Sequence, residues 1–176
     1  APLYWEKIDG AWWTMTLGGM HRLARHEPVC HVSHFEADAY AAWAGRRLPT
    51  EAEFEYAAGA GVITDYAWGE DPMVDGQLMA NTWQGRFPFE NTREDGWETT
   101  APVGSFPPNG YGLYDMIGNT WEWTEDWFVP RHTGDVTKAC CIPVNPRGPR
   151  MEDSFDPGQP EIRIPRKVLK GGSHLC

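Results

Sequence analysis

Nineteen glycines and fifteen prolines are scattered through 176 residues. Glycine supplies positive-φ turns, while proline fixes φ and withholds a backbone donor, so this density breaks the chain into short elements. A helical bundle or a clean sandwich does not suit such a sequence. Ten tryptophans supply what short elements lack, because large indoles fill a core that irregular chain packs poorly. With 41% hydrophobic residues there is material for a core, and the length suits one domain. The expected fold is a loop-rich α+β domain with little regular secondary structure.

Local signals locate the regular pieces. Residues 1–20 read as two aromatic strands around Asp9-Gly10, a hairpin signal. Pro28 to Val32 is a brief apolar strand that His31 ends. Ser33 with Glu36, and Thr50 with Glu53, have the spacing of helix capping boxes. In the first helix Phe35, Ala39, Ala42 and Trp43 recur at helical spacing and form its expected core face, with Gly45 as the stop. The second carries Phe54, Ala57 and Ala58 and ends near Gly59. Thr120 to Trp127 and Lys167 to Lys170 read as strands, and Val129 to Pro165 as a long excursion. Trp43, Trp68, Trp83, Trp121 and Trp123 are expected in the core.

Charge narrows the partners. Twenty-five acidic against fifteen basic side chains give −10, which disfavours nucleic acid and anionic membrane and suits cationic peptides or divalent cations. No apolar run approaches the ~20 residues of a membrane span, and residues 1–5 do not resemble a signal peptide. Cytoplasmic location is the expectation. Cys30, Cys140, Cys141 and Cys176 are too few for a disulfide scaffold. His31 and His34 invite a metal, but one precedes and the other begins a helix, so their rings need not converge. Cys140 and Cys141 are expected to pack.

Four motifs then occur in order: Arg47-Leu-Pro-Thr-Glu-Ala-Glu-Phe-Glu55, Ala80-Asn-Thr-Trp-Gln-Gly85, Phe106-Pro-Pro-Asn-Gly-Tyr-Gly-Leu-Tyr114 and Lys170-Gly-Gly-Ser-His-Leu-Cys176. Together with Asn109 to Thr124, they resemble the formylglycine-generating enzyme (sulfatase-modifying factor) family. The resemblance implies a C-type-lectin-like, loop-rich α+β fold for residues 1–176, a single domain expected to be incomplete at both ends. Residues 1–5 and 29–43 look more like the same domain in the iron-dependent sulfoxide synthases of ergothioneine biosynthesis, so a mosaic or a chimera fits equally.

The resemblance also implies a site. Cys176 matches the first of two cysteines that bind copper(I), and soft thiolates suit that ion. Taken alone, the same thiol reads equally as inert. Ser173 maps onto the motif as a catalytic residue, with His174 close enough to orient substrate or oxygen. Asn81, Thr82, Asp95 and Trp97 map onto one calcium site, and Asp115, Gly118, Thr120 and Glu122 onto a second. By residue type alone these are solvated turn acids; hard oxygens on irregular chain are also what calcium accepts. The implied reaction is aerobic, copper-dependent oxidation of a cysteine in a sulfatase-type peptide to formylglycine. The alternatives are an iron-dependent sulfoxide synthase-type domain and a non-catalytic lectin-like binding module.

Overall fold

The computed structural model describes residues 1–130 and 146–175. Three strands open the chain, β1 (Trp5–Ile8), β2 (Ala11–Thr16) and β3 (Gly19–Arg22), joined in sequence order as an antiparallel sheet. Asp9 and Gly10 take φ of 48° and 82°, the two positive values that the tight β1–β2 turn requires. The third strand corrects the two-strand expectation, since Gly18-Gly19 reverses the chain again and pairs Thr16 with Gly19. No strand forms over residues 28–32, which corrects another expectation; His31 there has a positive φ of 59°, incompatible with extended chain.

Helices α1 (His34–Trp43) and α2 (Glu51–Gly59) begin at the two capping boxes. In α2 the Thr50 amide donates to Glu53 Oε2 at 2.9 Å and the Glu53 amide to Thr50 Oγ1 at 3.2 Å. The Arg47 guanidinium, and after it the Thr50 amide, hold the Glu53 carboxyl down at about 2. Its contribution is therefore complete above the usual carboxylate value and fades as pH falls through about 2. Thr50→Ala should cost about 1 kcal/mol, read from the urea midpoint. Glu53→Gln should flatten the acid limb of the stability curve.

The apolar stripe of α1 does not face the core. Phe35 is 83% and Trp43 81% exposed, and Ala41 is the buried residue of the helix. The ring of His34 supplies the contact instead, edge-on to Trp123 at 5.7 Å. Trp121, half exposed, likewise departs from the expected core set.

After the small hairpin β4 (Met73–Val74) and β5 (Gln77–Leu78), strand β6 (Glu122–Trp127) pairs antiparallel with β7 (Lys167–Lys170). Between them Met151–Ser154 makes one 3-10 turn. Helix α2 is clamped onto β6 and β7 by polar contacts. Asp126 accepts from the Glu51 amide at 2.7 Å, and Lys170 Nζ reaches Glu51 at 3.1 Å and Glu55 at 2.5 Å. Phe54, Ala80, Ala101, Phe106 and Val168 are buried, together with Asn81, Gln84, Asn119, Thr124 and Ser154. A core this rich in polar side chains must satisfy them internally, and that need organises the loops around the site.

Candidate functional site

Residues 115–119 turn tightly before β6, with Asp115, Gly118 and Asn119 at φ of 55°, 76° and 62°. Gly118 lies so close to the Asn81 carbonyl that a Cβ there would stand 2.3 Å from the oxygen. Asn119 then joins three loops. Its Oδ1 accepts from the Ala101 amide at 2.9 Å and from Asn81 Nδ2 at 3.1 Å. Its own Nδ2 donates to the Ala101 carbonyl, and its backbone amide donates to the Asn81 carbonyl at 2.8 Å. Asparagine suits the place because it tolerates positive φ and both donates and accepts.

The carbonyl of Asn119 holds the last motif. It accepts from the backbone amide of His174 at 3.1 Å and faces His174 Nδ1 at 3.3 Å. A carbonyl can only accept, so Nδ1 is the nitrogen that carries a proton toward it. Gly171 and Gly172, at φ of 86° and 80°, make the turn that β7 feeds, and the Gly118 amide donates to the Gly171 carbonyl at 2.7 Å. Ser173 is buried, and its Oγ accepts from the Leu175 amide at 3.2 Å. Cys176 lies outside the described residues, as do His132, Cys140 and Cys141.

The candidate calcium ligands fall into two groups beside this turn. Burial pushes the Glu122 carboxyl up to about 7, and the neighbouring Asp115 charge adds to it. Two carboxylates that disfavour each other's charge suit a divalent cation, which would neutralise both. Asp115 also accepts from the Gly104 amide at 2.7 Å. The Thr120 carbonyl borders the Gly171 turn, 3.9 Å from where a Cβ on that glycine would lie. In the other group Gln84 Nε2 donates both to the Thr82 carbonyl and to Asp95 Oδ2. Asp95 Oδ1 accepts from the Trp97 amide at 2.8 Å. Asn81 Nδ2 is held by the Thr99 carbonyl and by Asn119, which leaves Asn81 Oδ1 as its oxygen for a ligand. Among the described residues no three His, Cys, Asp or Glu side chains converge. A cation in either group would thus draw on carbonyl and amide oxygens as well, a mixture that calcium accepts.

Comparison with known sequences decides the family. The sequence profile described as "Sulfatase-modifying factor enzyme 1-like domain" matches residues 3–176. The chain belongs to the sulfatase-modifying factor family. It is 49% identical over 176 residues to a formylglycine-generating enzyme of Mycobacterium tuberculosis, covering 98% of this chain and 55% of that protein. It is 43% identical to the formylglycine-generating enzyme of Mus musculus, covering 100% of this chain and 43% of that protein. The chain thus spans about half the length of the relatives it matches. An "Inactive C-alpha-formylglycine-generating enzyme 2" of Mus musculus is 44% identical over 131 residues, 72% of this chain and 42% of that protein. Among solved structures, PvdO from Pseudomonas aeruginosa superposes with a TM-score of 0.51 at 32% identity, covering 65% of this chain and 44% of that one.

This member of the sulfatase-modifying factor family has the loop-rich α+β fold expected of it, and the family match extends through the first quarter. Sequence reasoning missed Asn119 and Gln84. Gly118-Asn119 carried a signal, since both residues favour positive φ. Gln84 carried none, because its role depends on Thr82 and Asp95 meeting in space. Among the described residues no helix is long and apolar enough to cross a membrane.

Proposed function

We propose that this domain belongs to an oxidase that converts a cysteine of a sulfatase-type peptide to formylglycine. The observation that carries this reading is the Ser173–His174 turn. Two positive-φ glycines shape it and the Asn119 carbonyl anchors it, within a sequence that shares 49% identity with a formylglycine-generating enzyme.

Copper(I), bound through Cys176 and a further thiolate, would supply the oxygen-activating redox chemistry. The described residues have separate tasks. Ser173 fixes the Leu175 backbone through its Oγ, which constrains the last described turn of the motif. His174 keeps Nδ1–H on Asn119, and as the neutral imidazole it would leave Nε2 able to accept a hydrogen bond from a substrate group. Asn81, Thr82, Asp95 and Trp97, and Asp115, Gly118, Thr120 and Glu122, would hold two calcium ions that brace the loops behind the turn. Glu122 and Asp115 support this assignment most directly, because a cation would offset both the burial of the Glu122 carboxyl and the Asp115 charge beside it.

The test is Cu(I) competition binding under reducing conditions, on this chain and on Cys176→Ser, with mass spectrometry for aldehyde on a cysteine peptide. The expected result is binding lost in Cys176→Ser. Copper binding unchanged by that substitution would sink the assignment. Calcium-dependent folding with indifference to copper would favour the non-catalytic module instead.

A further inference from the structure

Asn109 and Gly110 form the one Asn-Gly step of the chain, and the Asn109 side chain closes the end of α2. The last carbonyls of a helix have no partner inside it. That of Gly59 accepts from the Val62 amide at 3.0 Å. Those of Ala57 and Ala58 accept from Asn109 Nδ2, at 2.7 Å and 3.3 Å. On its other side Asn109 Oδ1 accepts from the amides of Tyr111 and Leu113, at 3.0 Å and 3.1 Å. Two acceptors on one end and two donors on the other fix which end of the amide is nitrogen. The backbone repeats the closure, since the Asn109 amide donates to the Leu113 carbonyl and the Gly112 amide to the Asn109 carbonyl. Asn109 is half-buried and Gly110 exposed. The fold does not demand glycine at 110. Its φ lies outside the left-handed range, and a Cβ there would meet Ala60 Cβ at 3.6 Å, an ordinary contact.

We infer that Asn109-Gly110 is a site of spontaneous deamidation, and that the reaction unfastens the C-terminal end of α2 from residues 106–114. The chemistry needs only water. The Gly110 nitrogen gives up its proton and attacks Asn109 Cγ, the Cγ–Nδ2 bond breaks, and ammonia leaves. The cyclic imide then takes up water at either carbonyl, giving aspartate or isoaspartate. No side chain on residue 110 hinders the attacking nitrogen or restricts its backbone, so this step outpaces the other asparagines of the chain. Either product puts a carboxylate oxygen where the Nδ2 donor stood. The carbonyls of Ala57 and Ala58 then face a negative charge at the negative end of the helix. Isoaspartate also adds a backbone atom to the Asn109–Leu113 turn. The start of α2 stays held by Asp126 and Lys170, so the change is confined to its last turn. In the folded chain two carbonyls hold Nδ2, and the reaction waits on local opening of the loop.

The test incubates the whole chain at mildly alkaline pH, folded and in urea, and follows each asparagine by peptide mapping with mass spectrometry. In urea Asn109 should convert before the other asparagines. In the folded chain it should convert roughly a hundredfold more slowly, because only the open fraction reacts. Gly110→Ala should keep the fold and lose the fast conversion. Hydrogen exchange reads the structural consequence. Asn109→Asp and the converted protein should both lose protection at the last-turn amides of α2 and at Val62, while the β6–β7 amides keep theirs. Conversion at Asn109 in urea no faster than in Gly110→Ala overturns the inference. So does converted protein whose α2 amides exchange like the parent's, or conversion equally fast folded and in urea. The comparison of the parent with Gly110→Ala does not depend on Asn109→Asp folding.

Discussion

Glu122→Gln should raise the melting temperature of the metal-free protein and abolish the further rise expected from calcium at the proposed Asp115–Glu122 site. The carboxyl of Glu122 titrates at about 7, chiefly through burial and then through Asp115. In the unfolded chain the same group titrates near the usual carboxylate value. The folded state therefore holds the proton more tightly, and stability falls as pH rises from about 4.5 to about 7. At neutral pH the lost stability is roughly 2–3 kcal/mol after allowance for the partly exposed edge of the site. Glutamine keeps the shape without the charge and should recover most of it, a gain of roughly 5–10 °C. Calcium at 100 times its dissociation constant should stabilise the parent protein by about 2.7 kcal/mol and leave Glu122→Gln largely unmoved. Calorimetry with calcium and with chelator reads all four states. An equal calcium shift in both proteins would remove Glu122 from the ligand set.

Gly118→Ala should be strongly destabilising, because the added methyl meets fixed backbone. At φ of 76° an alanine already costs about 1–2 kcal/mol. The added Cβ would also stand 2.3 Å from the Asn81 carbonyl oxygen, backbone that cannot swing aside. That oxygen accepts from Asn119, so moving it disturbs the hub that holds Ala101, Asn81 and His174. A loss beyond about 4 kcal/mol is expected. Gly96→Ala is the control: its φ is 89° and nothing lies within 4 Å of the new atom, so it should lose only the backbone term. Urea midpoints compare the two. Equal losses would mean that the close approach at Gly118 is soft.

Much of the fold was legible because its signals are local. Capping boxes at Ser33–Glu36 and Thr50–Glu53 act within four residues, and both helices start where they indicate. Asp9-Gly10 and the β7 segment are local in the same way. The face of α1 was not legible. Phe35, Ala39, Ala42 and Trp43 share a side by periodicity, yet the helix docks through Ala41 and His34, since periodicity identifies a face without saying what lies opposite. The tryptophans show the same limit, with Trp43 and Trp121 exposed although each is apolar enough for a core.

The family and the loop-rich class were readable from the sequence alone, and the residues proposed as ligands were chosen from it. Those follow from residue types and short spacings that chain geometry cannot rearrange. Tertiary structure alone decided that Asn119 would tie Asn81 and Ala101 to the His174 turn. It also set Asp115 against Glu122 and brought the Asn109 side chain to the end of α2. These relations join residues up to 55 positions apart. Their energy comes from burial and from charges meeting in space, quantities a linear spacing does not contain.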